Sequence, residues 1–178
     1  MKYVALLRGI NVGGKNMLPM KALAEMFAAA GCRDVATYIQ SGNVVFSATA
    51  AVLKKLPGAI SGKIADDFGH RVPVMIRSHD QMAAVVLDNP FLKAGEPEKL
   101  LYVAFLADVP GTDAVTKLDP DRSPPDRIFV SGGEVYLCLH NGAAKTKITN
   151  AWLDSKLSTI STARNWATVM KLYEMTKP

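Results

Sequence analysis

Apolar residues fall into compact runs parted by polar turns, and the period inside each run predicts its element. The chain opens on "KYVALL", an apolar run of strand length. "PMKALAEMFAAAG" then places Met20, Leu23, Phe27 and Ala30 at helical spacing before Gly31 stops the helix. "DVATYIQSGNVVFS" holds two β-rich runs around Gly42 and Asn43, a dipeptide suited to the positive φ angles of a tight hairpin turn. In "ATAAVLKKLPGAISGKIADDFG" Ile60, Ile64 and Phe68 share a helical face, and Pro57 with Gly58 predicts a break into two pieces. "RVPVMIRS" closes the first half as a strand. The predicted order is β-α-β-β-α-β.

Ser78 is placed to cap a following helix, "HDQMAAVVLDN", which "NPF" ends ahead of the polar linker "KAGEPEK". Beyond the linker come strand "LLYVAFLA", a short helix near "GTDAVTKL" and a Pro- and Asp-rich loop, "DPDRSPPD". "RIFVSGGEVYLCL" reads as a second hairpin turning at Gly132 and Gly133, followed by helical segments "NAWLDSKL" and "RNWATVMKLYEM", the latter capped by Thr162. The order β-α-β-β-α recurs, which predicts a structural duplication without obvious sequence identity.

Composition narrows the class. At 178 residues and 49% apolar, the chain suits one domain or two small ones with an ordinary core. No apolar stretch reaches membrane-span length, and "MKYVALLRG" is interrupted by Arg8 too soon for a secretory signal, so a cytoplasmic protein is expected. Cys32 and Cys138 lie in unrelated segments and read as reduced thiols. The net charge of +5 is uneven: residues 1–90 carry +4, residues 91–139 carry −3 and residues 140–178 carry +4. Basic ends favour anionic ligands such as phosphates or nucleic acid, and equally suit a solvated basic surface.

"GINVGGKN" at 9–16 follows the first strand and matches the phosphate-loop pattern G-x-x-x-x-G-K-[ST] except at its last position, Asn16. That position needs a hydroxyl to hold magnesium, and Pro19 predicts a helix starting about one turn late. Both features argue against a triphosphatase.

Taken together, "RGINVGGKNMLPMKAL", "YIQSGNVVF", "NPF", "LYVAFLA" and "TARNWATVMKL" resemble a bacterial family, the domain of unknown function numbered 1697, over nearly the whole chain. The resemblance implies an α+β fold of two ferredoxin-like (α/β-plait) halves with antiparallel sheets, and no established activity. The expected organisation is a first plait subdomain at 1–78, a connecting helix and linker at 79–98, and a second plait-like subdomain with a C-terminal helix at 99–178. This chain departs from the family pattern at Pro57-Gly58 and at "AAKTK", where Thr146 stands in place of a serine between basic residues.

A plait orders its strands 4-1-3-2, which sets the loop after the first strand beside the turn entering the third. Arg8, Asn11, Lys15, Asn16, Ser41 and Asn43, with peptide N–H groups at Gly13 and Gly14 and with Gly42 in the adjoining turn, would then form a donor-rich rim suited to an oxyanion. The same residues admit a purely structural role: glycines for a tight crossover, asparagines bonded to their own backbone. "STARNWATVMKL" offers a second candidate, with Arg164 and Asn165 as contacts, Trp166 as a stacking face or a helix anchor, and Lys145 and Lys147 nearby in sequence. A phosphate-bearing ligand in a basic cleft joining both candidates is the leading expectation; an enzyme acting on a phosphorylated small molecule and a protein-interaction module are the alternatives.

Catalytic patterns are weak. His70, His79 and His140 are scattered and read as surface residues, and no serine or cysteine has a nucleophile-elbow setting. Neither zinc nor calcium spacing is evident, so neither metal nor cofactor is expected. Tyr3 and Phe46 are the aromatics nearest an RNA-stacking platform, and alternation suggests that at least one is buried.

Overall fold

The opening apolar run folds as strand β1 (Lys2–Leu7) and is buried on both faces. Ala5 and Leu7 enter a cluster with Leu23, Phe27, Ile60 and Ile64, while Val4 and Leu6, pointing the other way, are also fully buried. Around β1 stand α1 (Met20–Ala29), β2 (Arg33–Tyr38), β3 (Asn43–Ser47), α2 (Ala50–Phe68) and β4 (Val74–Ser78). The sheet order is β2-β3-β1-β4, with β1 antiparallel to both neighbours, the plait order anticipated.

The computed structural model describes residues 1–177. It divides into a unit from Met1 to Ala83 that includes the chain from Leu172 onward, and a unit from Ala84 to Lys171. After α3 (His79–Leu87) and α4 (Pro90–Lys93), the second unit repeats the plan with β5 (Leu101–Leu106), α5 (Thr112–Thr116), β6 (Arg127–Ser131), β7 (Glu134–Cys138), α6 (Asn150–Leu157) and β8 (Ser161–Asn165). α7 (Trp166–Thr176) follows directly. The second sheet reads β6-β7-β5-β8. Both sheets are four-stranded and antiparallel, so the fold is α+β with two ferredoxin-like halves.

The duplication reaches the sequence after all. Tyr3-Val4-Ala5-Leu6-Leu7 and Tyr102-Val103-Ala104-Phe105-Leu106 differ at one position and occupy matching registers: Val4 faces Arg77, and Val103 faces Arg164. The Leu7 N–H donates to Gly42 O and the Leu106 N–H to Gly133 O, both at 2.8 Å.

Three elements differ from the pattern-based reading. First, α2 runs unbroken through Pro57. The proline removes one backbone donor, but Leu56, Ile60 and Ile64 still bury one continuous stripe, and that packing outweighs the local loss. Second, Ser161–Asn165 is a strand rather than the lead into a helix, so Thr162 lies within β8 and Asn165 is the cap, its Oδ1 accepting from the Thr168 N–H at 2.8 Å. β8 escapes a hydrophobic reading because its buried positions include Ser161, Thr162 and Arg164. Third, Asn43 is the first residue of β3, paired with Leu6 and Tyr38, and the turn is Ile39 to Gly42. Ile39 there takes φ 49°, a left-handed conformation that is costly for a β-branched residue.

Candidate functional site

The loop leaving β1 is a miniature hairpin. Gly13 and Gly14 have φ of 58° and 74°, the two positive angles a type I′ turn requires, and the Lys15 N–H closes it onto Val12 O at 3.0 Å. One step back, the Asn11 N–H donates to Asn16 O at 3.2 Å. Gly9, Asn11 and Asn16 are left-handed as well, at 68°, 54° and 50°, conformations that glycine and asparagine tolerate best.

Side chains lock this geometry. Asn11 pairs with Leu18 in both directions, its Oδ1 accepting from the Leu18 N–H at 2.8 Å and its Nδ2 donating to Leu18 O at 2.9 Å. The same Nδ2 also donates to Gln40 O at 2.9 Å, which ties the loop to the β2–β3 turn. Asn16 Nδ2 donates to Gly9 O at 2.8 Å across the base of the loop. At the start of β3, Asn43 is fully buried and its Nδ2 donates to Tyr38 O at 3.1 Å and to Ser41 Oγ at 3.0 Å. Gly42 is there for space, since a Cβ would lie 2.8 Å from Leu7 Cβ and 2.9 Å from Ile10 Cδ1.

Loop and turn are therefore side by side, and the asparagine amides spend their donors within the protein. What faces outward is Lys15, whose exposed ammonium has no hydrogen-bond or ion-pair partner among the described residues. Arg8 is half-buried at the base of the loop. Val12, Met17 and Ile39 are 63%, 60% and 51% exposed, an apolar edge to the same rim.

The C-terminal candidates belong to the second unit. Arg164 is 7% exposed on β8, and its Nη1 donates to Thr162 Oγ1 and Ala163 O at 2.8 Å each. Burial lowers its pKa to about 10, which leaves the guanidinium charged at neutral pH. Trp166 is 1% exposed, so its ring packs in the interior and presents no open face for stacking. Lys145 and Lys147 are exposed on a loop held to the body by Asp126, whose Oδ1 accepts from the Asn141 N–H and whose Oδ2 accepts from Ser123 Oγ, both at 2.8 Å. Burial alone would raise the Asp126 pKa, but the N–H of Asn141 and the hydroxyls of Thr146 and Ser123 outweigh it and hold the carboxyl below its ordinary value.

One cluster escaped the sequence reading. Glu96, Arg127, Cys138 and His140 converge in the second unit. Cys138 ends β7 opposite Arg127 of β6, and His140, two residues on, continues the same alternation. Glu96 is delivered by the end of α4, where Gly95 at φ 79° and the bonds Gly95 N–H to Leu92 O and Glu96 N–H to Phe91 O, each 3.0 Å, form a Schellman motif. Glu96 Oε1 is ion-paired with Arg127 Nη2, while Oε2 lies 3.7 Å from Cys138 Sγ and 3.5 Å from His140 Nε2. Sγ and Nε2 are 3.5 Å apart. Burial pushes the Cys138 thiol up, Glu96 adding to the shift and Arg127 opposing it. The available signal was Cys-x-His spanning the end of a strand, which sends both side chains to one face.

The fold and the loop define a class: a double plait whose first β–α connection is a left-handed, internally bonded hairpin carrying a lysine at its tip. The chain belongs to the family described as protein of unknown function DUF1697, which matches residues 1–136. A conserved bacterial protein, SP0830 from Streptococcus pneumoniae, shares the fold with a TM-score of 0.68 at 24% identity, across 99% of this chain and 98% of that one. No curated protein matches the sequence. Among the described residues, no helix is long and apolar enough to cross a membrane.

Proposed function

We propose that this protein binds a phosphate-bearing ligand, a nucleotide or a nucleic-acid backbone, in the cytoplasm, with loop 8–16 as the contact surface and residues 41–43 as its support. The observation that carries the reading is Lys15, an exposed cation on a loop whose backbone is already ordered by its own hydrogen bonds. Such a loop loses little further entropy on binding. The peptide N–H groups of Gly13 and Gly14, which have no acceptor among the described residues, add neutral donors beside the lysine. Arg8 supplies a second cation at the base of the loop. Asn11, Asn16, Ser41 and Asn43 serve by holding the loop, and Arg164, Asn165 and Trp166 by holding β8 and α7.

The test is a thermal-shift screen of nucleotides, sugar phosphates and oligonucleotides on the wild type and on Lys15→Ala. A ligand at about 100 times its Kd adds ~2.7 kcal/mol to the wild type, and the variant should lose most of that gain. If no phosphate-bearing compound raises Tm, or if Lys15→Ala responds like the wild type, the reading fails.

A protein partner is the second reading, favoured by the exposure of Val12, Met17 and Ile39 on the same rim. In that case Val12→Ser with Met17→Ser would abolish complex formation while Lys15→Ala left it intact.

A further inference from the structure

We infer that Glu96 Oε2, Cys138 Sγ and His140 Nε2 form a zinc site in the second unit, with three protein ligands and an open fourth position. The argument begins with the triangle these atoms make. Zinc bonds of about 2.3 Å to sulfur, ~2.05 Å to imidazole nitrogen and ~2.0 Å to carboxylate oxygen, set at tetrahedral angles, require ligand separations of about 3.6 Å for S···N, about 3.5 Å for S···O and about 3.3 Å for N···O. The structure has 3.5, 3.7 and 3.5 Å for the same pairs. Each edge thus needs a change of no more than ~0.2 Å to seat a tetrahedral ion.

Chemistry and surroundings agree with the distances. A thiolate, an imidazole and a carboxylate make a mixed S/N/O set of the borderline-soft kind that zinc takes, rather than the all-oxygen shell of calcium or magnesium. The carboxylate is already oriented: Arg127 holds Oε1, leaving Oε2 to face the other two ligand atoms. A hydrogen-bonded outer oxygen of this sort is what fixes a ligating carboxylate in a metal site. Arg127 is itself placed over the Phe91 ring, 5.1 Å from its centroid. On binding, the Cys138 thiol releases its proton to solvent. Thiolate and carboxylate together balance the ion, so Arg127 leaves the centre net positive and the fourth position suited to hydroxide or an anionic ligand.

Access is uneven in a useful way. Cys138 is fully buried, but the His140 and Glu96 side chains are 35% and 21% exposed, so an ion can enter from solvent past the imidazole. A groove of about 360 Å³ lined by Pro90, Phe91, Pro124, Pro125, Arg127 and Phe129 shares Arg127 with the cluster.

The experiment uses tag-free full-length protein, treated with chelator and titrated with Co²⁺ and Zn²⁺. Co²⁺ should give intense visible bands of tetrahedral geometry with a thiolate charge-transfer band in the near ultraviolet, saturating at one equivalent and bleached by Zn²⁺. His140→Ala, at a partly exposed position, should weaken Zn²⁺ binding by about 100-fold or more, beyond the 10–100-fold typical of losing an outer-shell partner. Cys138→Ser should remove the charge-transfer band, and Cys32→Ser should keep it. Absence of the band in the wild type, or its survival in Cys138→Ser, overturns the assignment, as does His140→Ala binding Zn²⁺ like the wild type.

Discussion

Gly42 has no room for a methyl group, and Gly13 has all the room it needs, yet both are left-handed. At Gly42 an added Cβ meets Leu7 and Ile10 within 3.0 Å, on a backbone at φ 78°; at Gly13 it meets nothing within 4 Å, at φ 58°. Gly42→Ala should therefore cost about 2–4 kcal/mol, combining left-handed strain with overpacking, and Gly13→Ala about 1 kcal/mol from strain alone. Urea denaturation midpoints of the two variants check the ranking, which reverses if the β2–β3 turn relaxes freely. Asp126 gives a pH-dependent counterpart. Its folded-state pKa is depressed, so its contribution is complete above the unfolded value of about 3.9 and fades as the pH falls through the lower folded value. Asp126→Asn should cost about 1–3 kcal/mol at pH 7, because an amide nitrogen would confront donors from Ser123, Asn141 and Thr146. The gap between variant and wild type should close below about pH 4, and urea curves at several pH values measure it.

Among the elements, α2 shows how far tertiary packing overrides local preference. Pro57, Gly58 and Gly62 all sit within one 19-residue helix. Neither glycine has positive φ, and a Cβ on either would meet nothing within 4 Å. Gly58→Ala and Gly62→Ala should each stabilise the first unit by about 0.5–1 kcal/mol, nearly additively, with no change in far-UV circular dichroism. A loss of stability would mean that α2 is not one continuous helix.

Legibility from sequence followed the same division between local and long-range. β1, α1, both hairpins and the plait order were readable, because "KYVALL", the Leu23–Phe27 face and the turn glycines each carry their own period or φ requirement. β8 was not, since Ser161 is satisfied by Asp154 at 2.7 Å, a partner no hydrophobic pattern reveals. The neighbourhood of loop 8–16 and residues 41–43 followed from topology. The division of labour within that rim did not, because nothing local says that Asn11 bonds Gln40 O while Lys15 stays free for solvent. Glu96 and Cys138 stand 42 residues apart and meet through a helix stop on one side and a strand end on the other.

Across the whole molecule, charge and repetition matter most. Residues 1–90 and 140–178 each carry +4 while the stretch between carries −3, so any polyanion bound through Lys15 and its neighbours displaces counterions. Retention on an oligonucleotide should fall steeply with salt, and Lys15→Ala should flatten the slope of log K against log[salt] by about one unit. A slope identical to that of the wild type would remove Lys15 from the interface.

The shared pentapeptide has another consequence, for folding. Tyr3–Leu7 and Tyr102–Leu106 are near-copies bound for matching central slots, so the unfolded chain holds two strands that compete for each position. Their neighbours sort them: opposite Leu6 is the fully buried amide of Asn43, and opposite Phe105 is the half-buried carboxylate of Glu134. A crossed pairing would press the larger phenyl ring against an amide already enclosed. Synthesis supplies a second sorting step, since β1 and β3 emerge and can pair before β5 exists. Refolding from denaturant has no such order, and at high protein concentration it is there that mispaired, intertwined chains should accumulate.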